Sequence, residues 1–142
     1  MMWRNYLGSL SEECQFKAPA TEPEISTIKE TLKLELPKRL AQLYNETNGV
    51  FGNYGISYIW STEQVVRENI CYRTVHASSD DMYSWLFFSD AGNGDLFGYS
   101  IVKGRIHSEN IYIWNHEDRS QRIVSTSLDE FIEGWITGEL NV

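Results

Sequence analysis

Between residues 82 and 125 the chain alternates four short apolar runs, "MYSWLFFSD", "LFGYSIV", "IYIWN" and "RIVS", with glycine or polar segments. Aromatic and β-branched residues dominate the runs, the mixture that suits a pleated, half-buried surface, and the gaps are short enough for hairpins. The pattern predicts an antiparallel meander, with strands over 83–89, 96–102 and 111–115 followed by a fourth.

The first gap, within "SDAGNGDLFGYSI", holds three glycines and two aspartates and could cradle a phosphate, ligate a cation or turn a corner. A dinucleotide fingerprint needs G-x-G-x-x-G ahead of a helix. Here Gly92, Gly94 and Gly98 are spaced G-x-G-x-x-x-G and a strand follows. An EF-hand loop starting at Asp90 would need Glu at its twelfth position, where Ile101 stands. Both chemical readings fail on spacing. Asn93-Gly94 predicts a hairpin turn, because both residues tolerate positive φ, and Gly98 predicts a bulge or a close neighbour within a strand.

Helices bracket these strands. Thr21 to Glu24 forms a capping box ahead of Ile25, Ile28 and Leu32 at helical spacing. Pro37 restarts a second helix with Leu40, Leu43, Tyr44 and Thr47 on one face and Asn48-Gly49 as its stop. "YGISYIWS" reads as a strand, and Ser61 to Gln64 opens a helix over "TEQVVRENICYR". At the end, Ser127 caps toward Glu130, and Leu128, Phe131, Ile132, Trp135 and Ile136 form a stripe to pack on the sheet. Consecutive strands with helices toward the ends predict an α+β fold, an antiparallel sheet flanked by helices around one core. The 142 residues, without repeat or linker, predict a single domain over 1–142.

With 13% aromatic and 42% hydrophobic residues, the chain can bury enough apolar surface to offset its ordering entropy. No apolar run approaches the ~20 residues that span a bilayer, and the N-terminus lacks the apolar stretch of a signal peptide, so a cytoplasmic location is expected. Cys14 and Cys71 lack the spacing of a zinc or redox motif and are expected to be reduced, structural thiols. Twenty acids against twelve bases give a net charge of -8, which disfavours nucleic acid as a direct ligand and favours a basic partner. The excess is uneven: residues 51–142 hold thirteen acids and six bases, and no Lys or Arg lies between Arg73 and Lys103.

Catalytic and metal chemistry find little support. His76, His107 and His116 have no i, i+4 partner or nearby cysteine and receive no role. No Ser, Cys or Lys sits in a nucleophile motif. The expectation is a protein that is not an enzyme and uses no cofactor. Core packing is the commoner role for the tryptophans at strand and helix faces, Trp135 among them.

The order of "IKETLKLELPKRLAQLYNETNGV", "FFSDAGNGDLFGYSI", "IYIWNHED" and "VSTSLDEFIEGW" resembles the SUKH superfamily, which includes fungal cell-wall-assembly regulators and bacterial immunity proteins. The resemblance runs from about Ile25 to Trp135. It implies an antiparallel sheet flanked by helices and a non-enzymatic binder, typically an immunity protein that neutralises the cognate toxin, often a nuclease, of a bacterial polymorphic toxin system. The alternative is a regulatory binding module of the cell-wall-assembly type; a further one is an enzyme with an unrecognised carboxylate site. A small acidic domain suits the first, because an acidic patch imitates phosphate and steers fast association with a basic nuclease.

Strand direction places the candidate partner-binding residues. If the three strands run antiparallel, the turn at 90–95 and the end of the third strand meet at one sheet edge, where Asp90, Asp95, Glu117 and Asp118 converge with Arg119 as their offset. Asp80 and Asp81 fall at the opposite edge. Loop chemistry alone is an equally good reason for aspartates in turns.

Overall fold

Side-chain alternation along the strands explains the architecture of the molecule. A computed structural model describes residues 3–75 and 80–140, leaving out the side chains of Tyr54, Asp80 and Asp81. The elements run α1 (Trp3–Leu10), β1 (Gln15–Phe16), α2 (Glu22–Leu32), α3 (Lys38–Tyr44), β2 (Val50–Phe51), β3 (Ser57–Ile59), α4 (Thr62–Val75), β4 (Trp85–Asp90), β5 (Leu96–Val102), β6 (Arg105–Ile106), β7 (Ile111–Trp114), β8 (Gln121–Ser125) and α5 (Leu128–Thr137). Short 3₁₀ turns occupy Asn53–Gly55 and Asp80–Ser84. The larger sheet is the expected antiparallel meander, in order β4-β5-β7-β8, and the smaller is β1-β2-β3. This is an α+β fold.

Strand β4 is buried almost throughout, because the sheet is covered on both faces. Phe87 and Trp114 meet Tyr72 of α4 on one face, at ring-centroid distances of 5.9 and 6.1 Å. On the other, Phe131 of α5 packs edge-on against Phe88 and Phe97 at 5.5 and 4.8 Å. The pairing register shifts between Phe87 and Ser89, which makes Phe88 the extra residue of a β-bulge. Opposite it lies Gly98, where a Cβ would come within 2.7 Å of the Leu86 carbonyl oxygen, so the strand position read as a close neighbour is one.

The outer edge of β4 is closed by side chains. Asn69 of α4, 1% exposed, accepts from the Phe87 N–H at 2.9 Å and donates to the Phe87 carbonyl at 2.8 Å. Its Nδ2 also donates to the Val65 carbonyl at 2.7 Å, which leaves the buried amide fully engaged. Trp60 N–H then donates to the Phe88 carbonyl at 2.9 Å, joining the segment after β3 to the same edge. An open edge would template association, and these contacts remove it.

The capping boxes at Thr21–Glu24 and Ser61–Gln64 form, and Ser127 accepts from the Glu130 N–H. Three expectations need correction. The helix after Pro37 ends at Tyr44 rather than at Asn48-Gly49. Thr47 and Asn48 are instead spent on tertiary bonds: Thr47 Oγ1 accepts from Lys17 N–H, and Asn48 Oδ1 accepts from Thr62 N–H at the start of α4. Second, residues 82–84 belong to a 3₁₀ turn, and the first long strand begins at Trp85. Third, the hairpin between β4 and β5 is a five-residue loop. Gly92 and Gly94 take positive φ, 87° and 103°, and Asn93 does not. Its side chain caps the loop by accepting from Asp95 N–H.

Helix α1, together with β1, β2 and β6, lies beyond the sequence reading. Glu46 explains α1: its carboxylate accepts from Trp3 N–H at 2.9 Å and Arg4 N–H at 3.1 Å, a cap supplied from 43 and 42 residues away. Trp3 and Leu7 are fully buried, and α1 lies against α5. Arg39 of α3 fixes that corner through a two-pronged pair with Asp129 at 3.0 and 2.8 Å, its guanidinium 4.3 Å above the Trp3 ring.

Candidate functional site

The sheet register brings the β4–β5 loop and the β7–β8 loop together. Leu96 pairs with Trp114, so the residue before β5 and the residues after β7 are neighbours. Asp95 and His116 meet there: Asp95 Oδ1 accepts from His116 N–H at 3.1 Å and lies 2.6 Å from His116 Nδ1. Gly94 makes room for the ring, since a Cβ at that position would stand 2.9 Å from His116 Nδ1. Both glycine and histidine are therefore part of one contact. No sequence pattern marks His116; the β5–β7 register, continued past Leu96 and Trp114, sets it opposite Gly94 and one place from Asp95.

The four expected acids divide into two kinds. Asp90 is committed to structure: one oxygen accepts from Trp60 Nε1 at 2.8 Å and the other from Gly92 N–H at 3.0 Å. Asp95 is committed likewise, with its side chain 13% exposed. Burial pushes the Asp95 carboxyl up, and the His116 ring, the His116 N–H and Asn93 together outweigh it and hold the group below the usual aspartate value. Glu117 and Asp118 are exposed and point their charge at solvent. Asn115 orders their backbone, its Oδ1 accepting from both N–H groups at 2.8 and 3.2 Å. Bonds from the Ser120 side chain and N–H lower the Asp118 carboxyl, which is fully exposed and ionised at neutral pH.

The edge is thus a built, negatively charged corner with two outward carboxylates. Beside it lies an open cleft of about 380 Å³ lined by Ile56, Asp90, Ala91, Gly92 and Trp135. The Trp135 indole N–H is buried with no hydrogen-bond partner among the described residues. His107 lies elsewhere, its Nε2 3.0 Å from the Val102 carbonyl, and His76 lies outside the described residues. Among the described residues no three His, Cys, Asp or Glu side chains group as metal ligands. None of their helices is long and apolar enough to cross a membrane. Cys14 and Cys71 are free thiols, and burial raises the Cys14 thiol.

An antiparallel meander covered by helices, with the β4–β5 and β7–β8 loops brought together at one end, presents a surface built from loops on a sheet. The chain belongs to the SUKH superfamily: residues 22–132 match the SUKH_6 family, described as SMI1-KNR4 cell-wall. The match takes in α2 through the first half of α5, and so the whole acidic corner. The superfamily comprises binding modules, including toxin-immunity proteins and cell-wall regulators, whose members bind partner proteins such as toxins. No curated protein matches the chain.

Proposed function

We propose that the protein is an immunity protein that binds and neutralises a cognate bacterial toxin, a basic nuclease, and that it acts by binding without turnover. Membership of a family with toxin-immunity members supports the class of activity. The observation that carries the nature of the partner is the acidic corner, where the Asp95–His116 contact holds the loops bearing Asp90, Asp95, Glu117 and Asp118 side by side. A concentrated negative field on a rigid edge accelerates encounter with a basic surface and imitates the phosphates that a nuclease binds. The adjoining cleft, with Asp90 on its wall and an indole beside it, suits an inserted basic side chain of the partner.

Within this corner the roles differ. Glu117 and Asp118 steer, whereas Asp90 and Asp95 hold the loops in place and contribute charge from fixed positions. Glu117→Gln with Asp118→Asn is expected to slow association with the toxin by about tenfold at low salt and flatten the salt dependence, with dissociation little changed. Stopped-flow mixing with the catalytically inactivated product of the neighbouring reading frame measures this. Association at the parental rate would move the binding surface elsewhere. Failure of the unaltered protein to bind that product or to protect cells from it, with cell-wall phenotypes on deletion, would favour the regulator type of the same family.

A further inference from the structure

Strand β5 separates two opposite poles. Asp95 precedes it at the acidic corner, and Lys103-Gly104-Arg105 follows it some 20 Å away along the strand axis. Around that far end, two grooves of about 670 and 320 Å³ adjoin, sharing Lys33, Leu34 and Gly104 in their walls. Lys29, Lys38 and Arg105 line the first, Arg73 and Lys103 the second, so half of the twelve bases in the chain line this strip. Glu35 is the one acid among the described lining residues and pairs with Lys29 at 3.1 Å. Lys33, Lys38, Lys103 and Arg105 have no carboxylate within ion-pair distance among the described residues. In a chain of net charge -8, such a concentration of cations without a carboxylate partner among the described residues is a local reversal.

Backbone conformation adds an independent observation. Lys33, at the end of α2, and Lys103, in the β5–β6 turn, have φ of 54° and 52°, in the left-handed region that side chains other than Gly and Asn enter at a cost. Lys103-Gly104 is a two-residue turn with both φ positive, the place where Asn-Gly is favoured. Lys33 holds the helix-end position where Gly is favoured. Local stability would select other residues at both places, and both side chains line the same groove.

We propose that this strip is a docking site for an extended acidic segment of a partner protein. It is independent of the acidic corner and of the toxin reading. Charge complementarity selects an acidic ligand, and the groove's apolar walls, Leu34, Leu36, Pro37 and Ile106, suit apolar residues interleaved with the acids. The cations are spread along two adjoining grooves rather than focused at one point, which matches carboxylates spaced along an extended chain. A concave strip does not match a flat bilayer. Strand β6, paired among the described residues with β5 alone, borders the groove and offers a further edge to an extended chain.

The test uses the full chain and a fluorescein-labelled peptide of about ten residues that alternates Glu with Leu or Val, the length of one long strand. Anisotropy is expected to show salt-sensitive binding that the unlabelled acidic peptide competes away and that the same peptide with Gln in place of Glu does not. The double variant Lys33→Gly, Lys103→Asn removes two cations and relieves two unfavourable backbone positions. It should bind the acidic peptide about tenfold more weakly while its melting temperature stays level or rises. Arg4→Gln with Arg67→Gln, the same change in net charge away from the groove, should leave binding within about twofold. Equal weakening in both variants, or no binding of the acidic peptide, overturns the proposal. Binding of inorganic tripolyphosphate or anionic vesicles through Lys33 and Lys103, with the peptide ignored, overturns the class of ligand.

Discussion

Asn69 shows how much a single buried side chain can carry. Its amide satisfies the N–H and C=O of Phe87 at a strand edge, and its burial excludes water from substituting for them. Asn69→Ala leaves two buried backbone groups without partners, and a loss of about 2–3 kcal/mol is expected from denaturant unfolding. Asp95 makes a prediction in pH. Its folded value lies below the unfolded one, so the carboxylate stabilises the fold above the unfolded aspartate value, about pH 4, and that contribution disappears as pH falls through the lowered folded value. Asp95→Asn should therefore reduce stability at neutral pH and flatten its decline in acid. Urea titrations of both proteins between neutral and strongly acidic pH check this, and parallel curves would show that the His116 contact contributes nothing.

At the scale of elements, α5 illustrates why a periodic stripe does not rank its own members. Leu128, Phe131 and Ile132 are at most 2% exposed, whereas Trp135 is half-buried against Phe97 at 5.3 Å. Phe131→Ala is expected to cost about 3–5 kcal/mol, as a deep aromatic deletion does, and Trp135→Ala roughly half as much. Chemical denaturation measures both, and the reverse order would mean that the helix docks through its other turn. The sequence stripe places both residues on the inner face. Which one is covered depends on the sheet beneath: Phe131 meets both Phe88 and Phe97, whereas Trp135 meets Phe97 and lines the open cleft.

For the whole molecule, the buried apolar residues from Trp3 to Ile132 form one cluster that joins both sheets and all five helices. We propose that the chain behaves as a single domain. It should unfold in one cooperative step, with far-ultraviolet and near-ultraviolet circular dichroism tracing the same transition. Two separated transitions would divide the β1-β2-β3 layer from the meander. The uneven charge seen along the chain becomes polar in three dimensions, since the strand that starts at the acidic corner ends at the basic strip.

Much of the fold is legible from residues a few places apart. Thr21 and Glu24, Ser61 and Gln64, and Ser127 and Glu130 each declare a helix start because both bonding partners lie within one turn. The meander is legible because apolar alternation and short gaps leave antiparallel hairpins as the economical pairing. Even the meeting of Asp95 with the segment carrying Glu117 and Asp118 follows from strand direction. Tertiary structure alone decides the rest, and each instance involves distant partners. Glu46 caps a helix more than forty residues away, and Asn69 closes an edge 18 residues on. His116 binds Asp95 across 21 residues and Trp60 binds Asp90 across 30, which together turn two of the four expected acids from free charges into fixed supports. The basic strip gathers Lys29, Lys33 and Lys38 with Lys103 and Arg105, residues that no local pattern connects. Local chemistry encodes bonds that close within a turn, while a side chain's charge acquires its neighbours only when strand register and helix packing set the distances.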